Sequence, residues 1–237
     1  MSSDGQEEGP RVRRESLFID TLGHQDKIPL MTRLSLMLIL LAGSSLAHQP
    51  RFPDEGMTEV RNPEVSQAFY AELTGEPDLY CITDDDSFQL YVQLLVPDIP
   101  DVTRDYVAEV FTKSDTGRQF ITRLDGPAAE WTEFYEPFAG DNYFTGPEFS
   151  TPVGPGDYFV EVTSPDNLGK YVLVVGRAES FPPGEIIRTL GMMPRLKKDY
   201  FGKPAYTACF NYIGACMGVG AAVVVGIVVG ILLLARR

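Results

Sequence analysis

The sequence predicts a mainly β protein, an extracytoplasmic β-sandwich or jelly roll carried on one C-terminal transmembrane helix. Three observations carry that expectation. Short aromatic and β-branched segments recur between residues 57 and 177, separated by turn clusters. An uncharged run, Ile213 to Ala235, is followed only by Arg236 and Arg237. A shorter apolar stretch, Leu34 to Ala42, stands near the amino terminus between Arg33 and the small residues Ser45 and Ala47.

Taken in order, residues 31–47 read as a secretory signal peptide. The apolar core is about nine residues, too short for an ordinary transmembrane helix, and Ser45 and Ala47 have the spacing that signal peptidase accepts. Residues 1–30 form a polar leader with Arg11, Arg13 and Arg14. The expectation is that translation starts at Met31; the alternative is a leader retained as a cytoplasmic tail.

Residues 48–180 are expected to form the β-sandwich domain. Its strands are read at Ala68 to Leu73, Leu79 to Thr83, Phe88 to Val96, Tyr106 to Thr112, Gln119 to Leu124, Asp157 to Thr163 and Lys170 to Gly176. The intervening clusters, among them Gly75 to Asp78, Ser114 to Gly117 and Ser164 to Gly169, are rich in Gly, Pro, Asp, Asn and Ser. Seven or eight short strands at this spacing predict a sandwich or jelly roll. In VGPGDYFVEVTSPDNLGKYVLVVG, the segment Ser164 to Gly169 reads as the reversal of a terminal β-hairpin.

The strands PGDYFVEV and GKYVLVV, with GEPDLYCIT and FQLYVQLLV before them, resemble the bacterial pre-peptidase C-terminal domain, a jelly-roll-like β-sandwich of secreted proteins. The resemblance spans roughly Ala68 to Gly176. It departs from that pattern in having no peptidase domain upstream and in its middle, Glu130 to Ser150. Members of that group are accessory modules, so the resemblance implies a noncatalytic binding or structural role. The layout as a whole is similar to single-span surface proteins of bacteria and archaea.

Charge and composition exclude several functions. Between Pro50 and Glu185 there are 26 Asp or Glu against 8 Lys or Arg, so the body repels phosphate backbones and nucleic acid is not an expected partner. The three cysteines, Cys81, Cys209 and Cys216, leave only one in the body and no disulfide framework; Cys81 reads as a buried small hydrophobe. Histidine occurs only at His24, before the signal-peptide pattern, and at His48, on the expected cleavage edge, so the folded body is expected to contain none. No histidine triad, histidine-ligated zinc, Walker loop or dinucleotide fingerprint is legible, and no enzyme is expected.

Oxygen ligands are the remaining chemistry. Asp84, Asp85 and Asp86 in one turn, with Asp141 and Asn142, are candidate ligands for a hard cation such as calcium; Glu136, Asp166 and Asn167 are further oxygen donors. No cofactor other than calcium is indicated. The competing reading is that these acids form turns and solvated loop charge. Acid pairs also admit a carboxylate-dependent glycosidase as a third functional reading. The segment Trp131 to Phe149 carries the only tryptophan and is dense in Phe and Tyr. It is read as a loop packed over the sandwich, with the alternative of a contact surface for a protein or carbohydrate at Trp131, Tyr135, Tyr143 and Phe144.

Residues 181–211 are expected to be a juxtamembrane stalk with a short amphipathic helix that Pro194 breaks. Lys197 and Lys198 are placed near lipid phosphates, with Tyr200, Phe201, Tyr206, Phe210 and Tyr212 as an interfacial aromatic belt. Residues 212–235 are expected to form the transmembrane helix, whose uncharged run Ile213 to Ala235, about 23 residues, suffices for a bilayer, and 236–237 the cytoplasmic end. Arg195, Lys197, Lys198 and Lys203 precede the span and two arginines follow it, which by charge alone would place the body inside; the signal peptide is taken to override this. Gly214, Gly218, Ala222, Gly226 and Gly230 recur every fourth residue and form a candidate helix–helix contact for a homo-oligomer or a larger membrane complex.

The resulting expectation is a single-pass cell-membrane protein with its N-terminal domain outside the cytoplasm. Its role is a noncatalytic binding or assembly module, or, as the runner-up, an accessory subunit docking through its transmembrane helix.

Overall fold

A computed structural model of the chain describes residues 48–236. The stretches read as a leader and a signal peptide, residues 1–47, and Arg237 lie outside the described residues.

Among the described residues, eleven strands form two sheets: β1 (Gln49–Arg51), β2 (Met57–Val60), β3 (Gln67–Thr74), β4 (Asp78–Asp84), β5 (Phe88–Pro97), β6 (Val107–Ser114), β7 (Gly117–Asp125), β8 (Thr132–Glu136), β9 (Asp141–Val153), β10 (Gly156–Thr163) and β11 (Leu168–Val175). A six-stranded sheet runs β1-β3-β11-β5-β9-β8, and a five-stranded sheet runs β2-β4-β10-β6-β7. Alternate side chains of both sheets meet between them. Phe69, Leu73, Leu90, Leu94, Tyr171 and Leu173 come from one side and Tyr80, Ile82, Val110, Val160 and Val162 from the other. This is the core that strand alternation predicts.

The terminal hairpin expected from Ser164 to Gly169 is corrected. β10 lies between β4 and β6 in one sheet, and β11 between β3 and β5 in the other, so this turn is an arch from sheet to sheet. The β3–β4 connection arches beside it, and the two are joined by Gly75 N–H donating to the Asn167 carbonyl at 2.7 Å. Only β6–β7 and β8–β9 are hairpins of sequence neighbours among the described residues.

The aromatic segment read as a loop is also strand. β8 and β9 pair from Thr132↔Thr145 to Glu136↔Asp141, and β9 continues along β5 to Val153. Because β8 covers only the first part of β9, the remainder is a sheet edge. Pro147 and Pro152 are tolerated there, where a missing N–H costs no ladder bond.

The C-terminal part begins with α1 (Pro183–Arg195), entered through Pro183 at its first turn, with Glu185 near its start and Arg195 near its end, the preferred charge placement. Pro194 does not stop it. The chain widens instead into a single π-helical turn, Leu196–Tyr200, where Phe201 N–H donates to the Leu196 carbonyl at 3.2 Å. A 3-10 helix, Ala205–Cys209, leads into α2 (Tyr212–Ala235).

Met193, Leu196, Tyr200 and Phe201 are buried against the outer face of the six-stranded sheet, on Ala68, Tyr70, Tyr91, Leu95, Tyr143, Val172 and Val174. The molecule therefore has a third layer. Each such side chain withdrawn from water contributes about 1.5–3 kcal/mol. The expected headgroup positions of Lys197, Tyr200 and Phe201 are corrected by this packing: all three are buried in protein. At the other end of α1, Glu185 accepts from Arg51 at 2.6 Å in a largely buried pair, which ties the layer to β1.

Candidate functional site at the base of the apolar helix

The β8–β9 turn, Glu136 to Asp141, carries two buried carboxylates, each with two hydrogen-bond donors. Gly140 N–H donates to the Glu136 carbonyl at 2.8 Å, closing the turn. The Glu136 carboxylate accepts from Phe138 N–H at 2.8 Å and Ala139 N–H at 2.6 Å, satisfying the amides that the turn exposes. Burial raises the Glu136 pKa, while these two bonds hold it down.

Next to it, Asp141 is buried and accepts from two ammonium groups. Lys197 Nζ, itself buried, donates to Oδ2 at 2.6 Å, and the half-exposed Lys203 Nζ donates to Oδ1 at 2.7 Å. Lys197 also donates to the Ala139 carbonyl at 2.5 Å. Phe201 lies under both cations, with centroids 5.8 Å from Lys197 and 5.2 Å from Lys203. Around this knot, burial pushes the hydroxyls of Tyr70, Tyr143 and Tyr200 above the ordinary tyrosine range; Tyr70 and Tyr143 bond each other at 3.1 Å.

The Ala139 carbonyl has a second donor, Asn211 Nδ2 at 3.1 Å. Asn211 is the N-cap of α2: its Oδ1 accepts from Gly214 N–H at 2.8 Å, and its Nδ2 also donates to the Ala208 carbonyl at 3.0 Å. One carbonyl therefore joins the sandwich, the docked segment and the first turn of α2. Two glycines permit the close approach. Gly140 has φ +72°, and a Cβ there would stand 3.1 Å from the Asn211 Cβ. At Gly214 a Cβ would overlap the Cys209 carbonyl group.

This places the residues singled out from sequence. Asp141 is held by two lysines, and Asn142, the next residue of a strand, points to the opposite face and is exposed. The two do not act as a ligand pair. Asp84 Oδ1 accepts from Asp86 N–H at 3.0 Å, a local turn bond, with Asp85 and Asp86 exposed. Asp166 and Asn167 bond Leu168 N–H and Ser164 N–H within their own turn. No group of three or more His, Cys, Asp or Glu among the described residues could hold a metal ion.

Of the aromatic candidates, Trp131 packs on the core and donates Nε1–H to the Gly126 carbonyl at 2.9 Å. Tyr143 is buried, and Phe144 lies 3.7 Å beneath the Arg104 guanidinium. Tyr135 alone of the four is exposed, at 57 %. Cys81 is half-buried on the outer side of β4, with Sγ 3.6 Å from Thr83 Oγ1. Along α2, Gly218, Gly226 and Gly230 have open space where a Cβ would stand, whereas Gly214 is required by the turn before the helix.

Sequence reasoning missed Lys197, Lys203 and Asn211 as a unit with Asp141. The available signal was the apolar character of both faces of β5 and β11, in LYVQLLV and YVLVV, which marks a sheet covered on both sides.

No protein-family model and no curated protein matches the chain. Among solved structures the chain loosely resembles the pre-peptidase C-terminal domain of a collagenase from Bacillus anthracis, at 11 % identity and a TM-score of 0.30, over 56 % of this chain and 98 % of that one.

Proposed function

We propose that this chain is a membrane-anchored, noncatalytic binding or assembly module whose β-sandwich lies outside the cytoplasmic membrane. The observation that carries the reading is continuity. The chain runs from the sandwich through a packed third layer into α2, where Gly218–Ala235 is apolar and unburied, as a span requires. The polar knot at Asp141 serves this role by fixing the start of the span to the body. The signal-peptide pattern of residues 31–47 supports the outward orientation. The partner is a protein or a carbohydrate rather than nucleic acid, given the acidic body.

The test is protease treatment of intact cells, combined with alkaline extraction of their membranes. The expected result is digestion of the body from outside and retention of α2 in the membrane pellet. A body shielded in intact cells would reverse the orientation.

A second reading, an accessory subunit docking through α2, is favoured by the open positions at Gly218, Gly226 and Gly230. Replacing Gly218 and Gly226 by Leu is expected to abolish cross-linked oligomers or co-purification with a larger complex. Unchanged cross-linking would remove this reading.

A further inference from the structure

A shallow, open depression of about 580 Å³ lies at the start of α2, lined by Tyr135, Pro137, Cys209, Phe210, Asn211 and the small residues of the first helical turn. None of its lining side chains is charged, on a body with 26 acids against 8 bases. Its rim exposes large rings: Tyr135 at 57 %, Tyr206 at 66 % and Phe210 at 77 %, the last two packed edge to face at 6.0 Å.

Depth along α2 decides what covers this surface. The 18 residues Gly218–Ala235 rise roughly 27 Å, and a hydrocarbon core of about 30 Å extends a further two residues or so toward the body. That boundary falls at Cys216, next to Ala215, which lines the depression. Tyr206 and Phe210 then stand within the headgroup layer. The β8–β9 hairpin is fixed at the same depth, because Gly140 meets Phe210 and Asn211, and Ala139 accepts from Asn211. Amphipathic rings at that level are the usual anchors of membrane proteins.

We propose that this face is a bilayer-seating surface: Tyr135, Pro137, Tyr206 and Phe210 enter the headgroup–acyl boundary of the leaflet that α2 enters, and lipid fills the depression. The sandwich thus rests on the membrane through its own hairpin, in a fixed orientation. The inference rests on the reading of α2 as a membrane span.

The experiment uses the full chain in nanodiscs of phosphatidylcholine with either plain or brominated acyl chains. Tryptophan is introduced as Tyr135→Trp or, on the exposed β7, as Phe120→Trp, and each emission is read as the difference from the parent protein. The added emission of Tyr135→Trp is expected to be lost in brominated lipid and protected from aqueous iodide; that of Phe120→Trp shows the reverse. Tyr135→Trp emission that survives brominated lipid, whether open to iodide or covered by a partner, overturns the proposal. Alkaline extraction separates the two levels. If α2 stays in the membrane and Tyr135→Trp is unquenched, the seating surface fails alone; if the chain is extracted, the span and the seating surface fail together.

Discussion

The two outer faces of the sandwich carry similar aromatic residues and meet opposite fates. On the six-stranded sheet, Tyr70 and Tyr143 are covered by Tyr200 and Phe201 and join a second core. On the five-stranded sheet, Phe111 and Phe159 stack at 5.6 Å and are capped by the cations of Arg118 and Lys113, at 4.4 and 3.9 Å. The charges divide in the same way. Lys197 and Asp141 are buried together, whereas Arg118 pairs bidentately with Glu161 at 2.8 Å with its side chain 54 % exposed. A buried pair depends on both members being present, because the survivor of a deletion is left uncompensated in low dielectric. An exposed pair has water as a substitute. The covered face thus depends on a buried ion pair, and the open face on exposed charges over its stacked rings.

The largest effect is expected from breaking the buried pair. Lys197→Met leaves Asp141 only the half-exposed Lys203 as a cationic partner and should destabilise the folded chain by up to about 3–5 kcal/mol, read from the denaturant midpoint of the detergent-solubilised protein. Combining it with Asp141→Leu should recover part of that loss, since both charges are then gone and the Ala139 carbonyl keeps Asn211.

A pH effect of comparable size is expected where β1 meets β3. His48 is part-buried, with its Nδ1 2.5 Å from Ser66 Oγ, and desolvation lowers its pKa from 6.5 to about 4. The unfolded chain therefore binds the proton first as pH falls. Stability contributed above pH 6.5 is lost progressively toward pH 4, on the order of 3 kcal/mol in all. His48→Gln should flatten the pH dependence of the unfolding midpoint in that window. Asp78 and Glu136, whose pKa values burial raises, act in the opposite sense: their contribution is present at low pH and lost as pH rises through their folded values.

Smaller effects separate the two faces again. Tyr143→Phe removes the hydroxyl bonded to Tyr70 and should cost about 1–2 kcal/mol by the same denaturation measurement. Arg118→Ala on the open face should cost about 0–1 kcal/mol, and less at high salt. A loss at Arg118 as large as that at Lys197 would erase the distinction between the faces.

The same contrast explains what was legible in the sequence. β4, β6 and β10 carry aromatic and β-branched residues between clear turn clusters, so they were legible to within a residue or two of their ends. Sheet membership was not legible, because the arch at Ser164 to Gly169 and the hairpin at Ser114 to Gly117 use the same Gly, Asp and Ser chemistry. β9 was hidden by Gly146, Pro147 and Pro152, which read as loop although a sheet edge accommodates them. The knot was the least legible part. Lys197 and Lys203 occur in a basic stretch that the sequence places beside the membrane, Lys197 near lipid phosphates, and Asp141 is 56 residues from Lys197, so only the folded register brings them together. The apolar helix α2 needed no such register, since length and absence of charge mark it in the sequence.

The central claim is that residues 196–201 are a packed layer of the body rather than a free tether to the membrane. Amide hydrogen exchange of the full chain in nanodiscs tests it most directly, followed at Leu196 to Phe201 and compared with β11. The account predicts slow exchange at Tyr200 and Phe201, together with Val172 and Val174 beneath them, and a shared loss of protection in Lys197→Met. Exchange at Leu196 to Phe201 as fast as in an unstructured peptide, with β11 still protected, would contradict it.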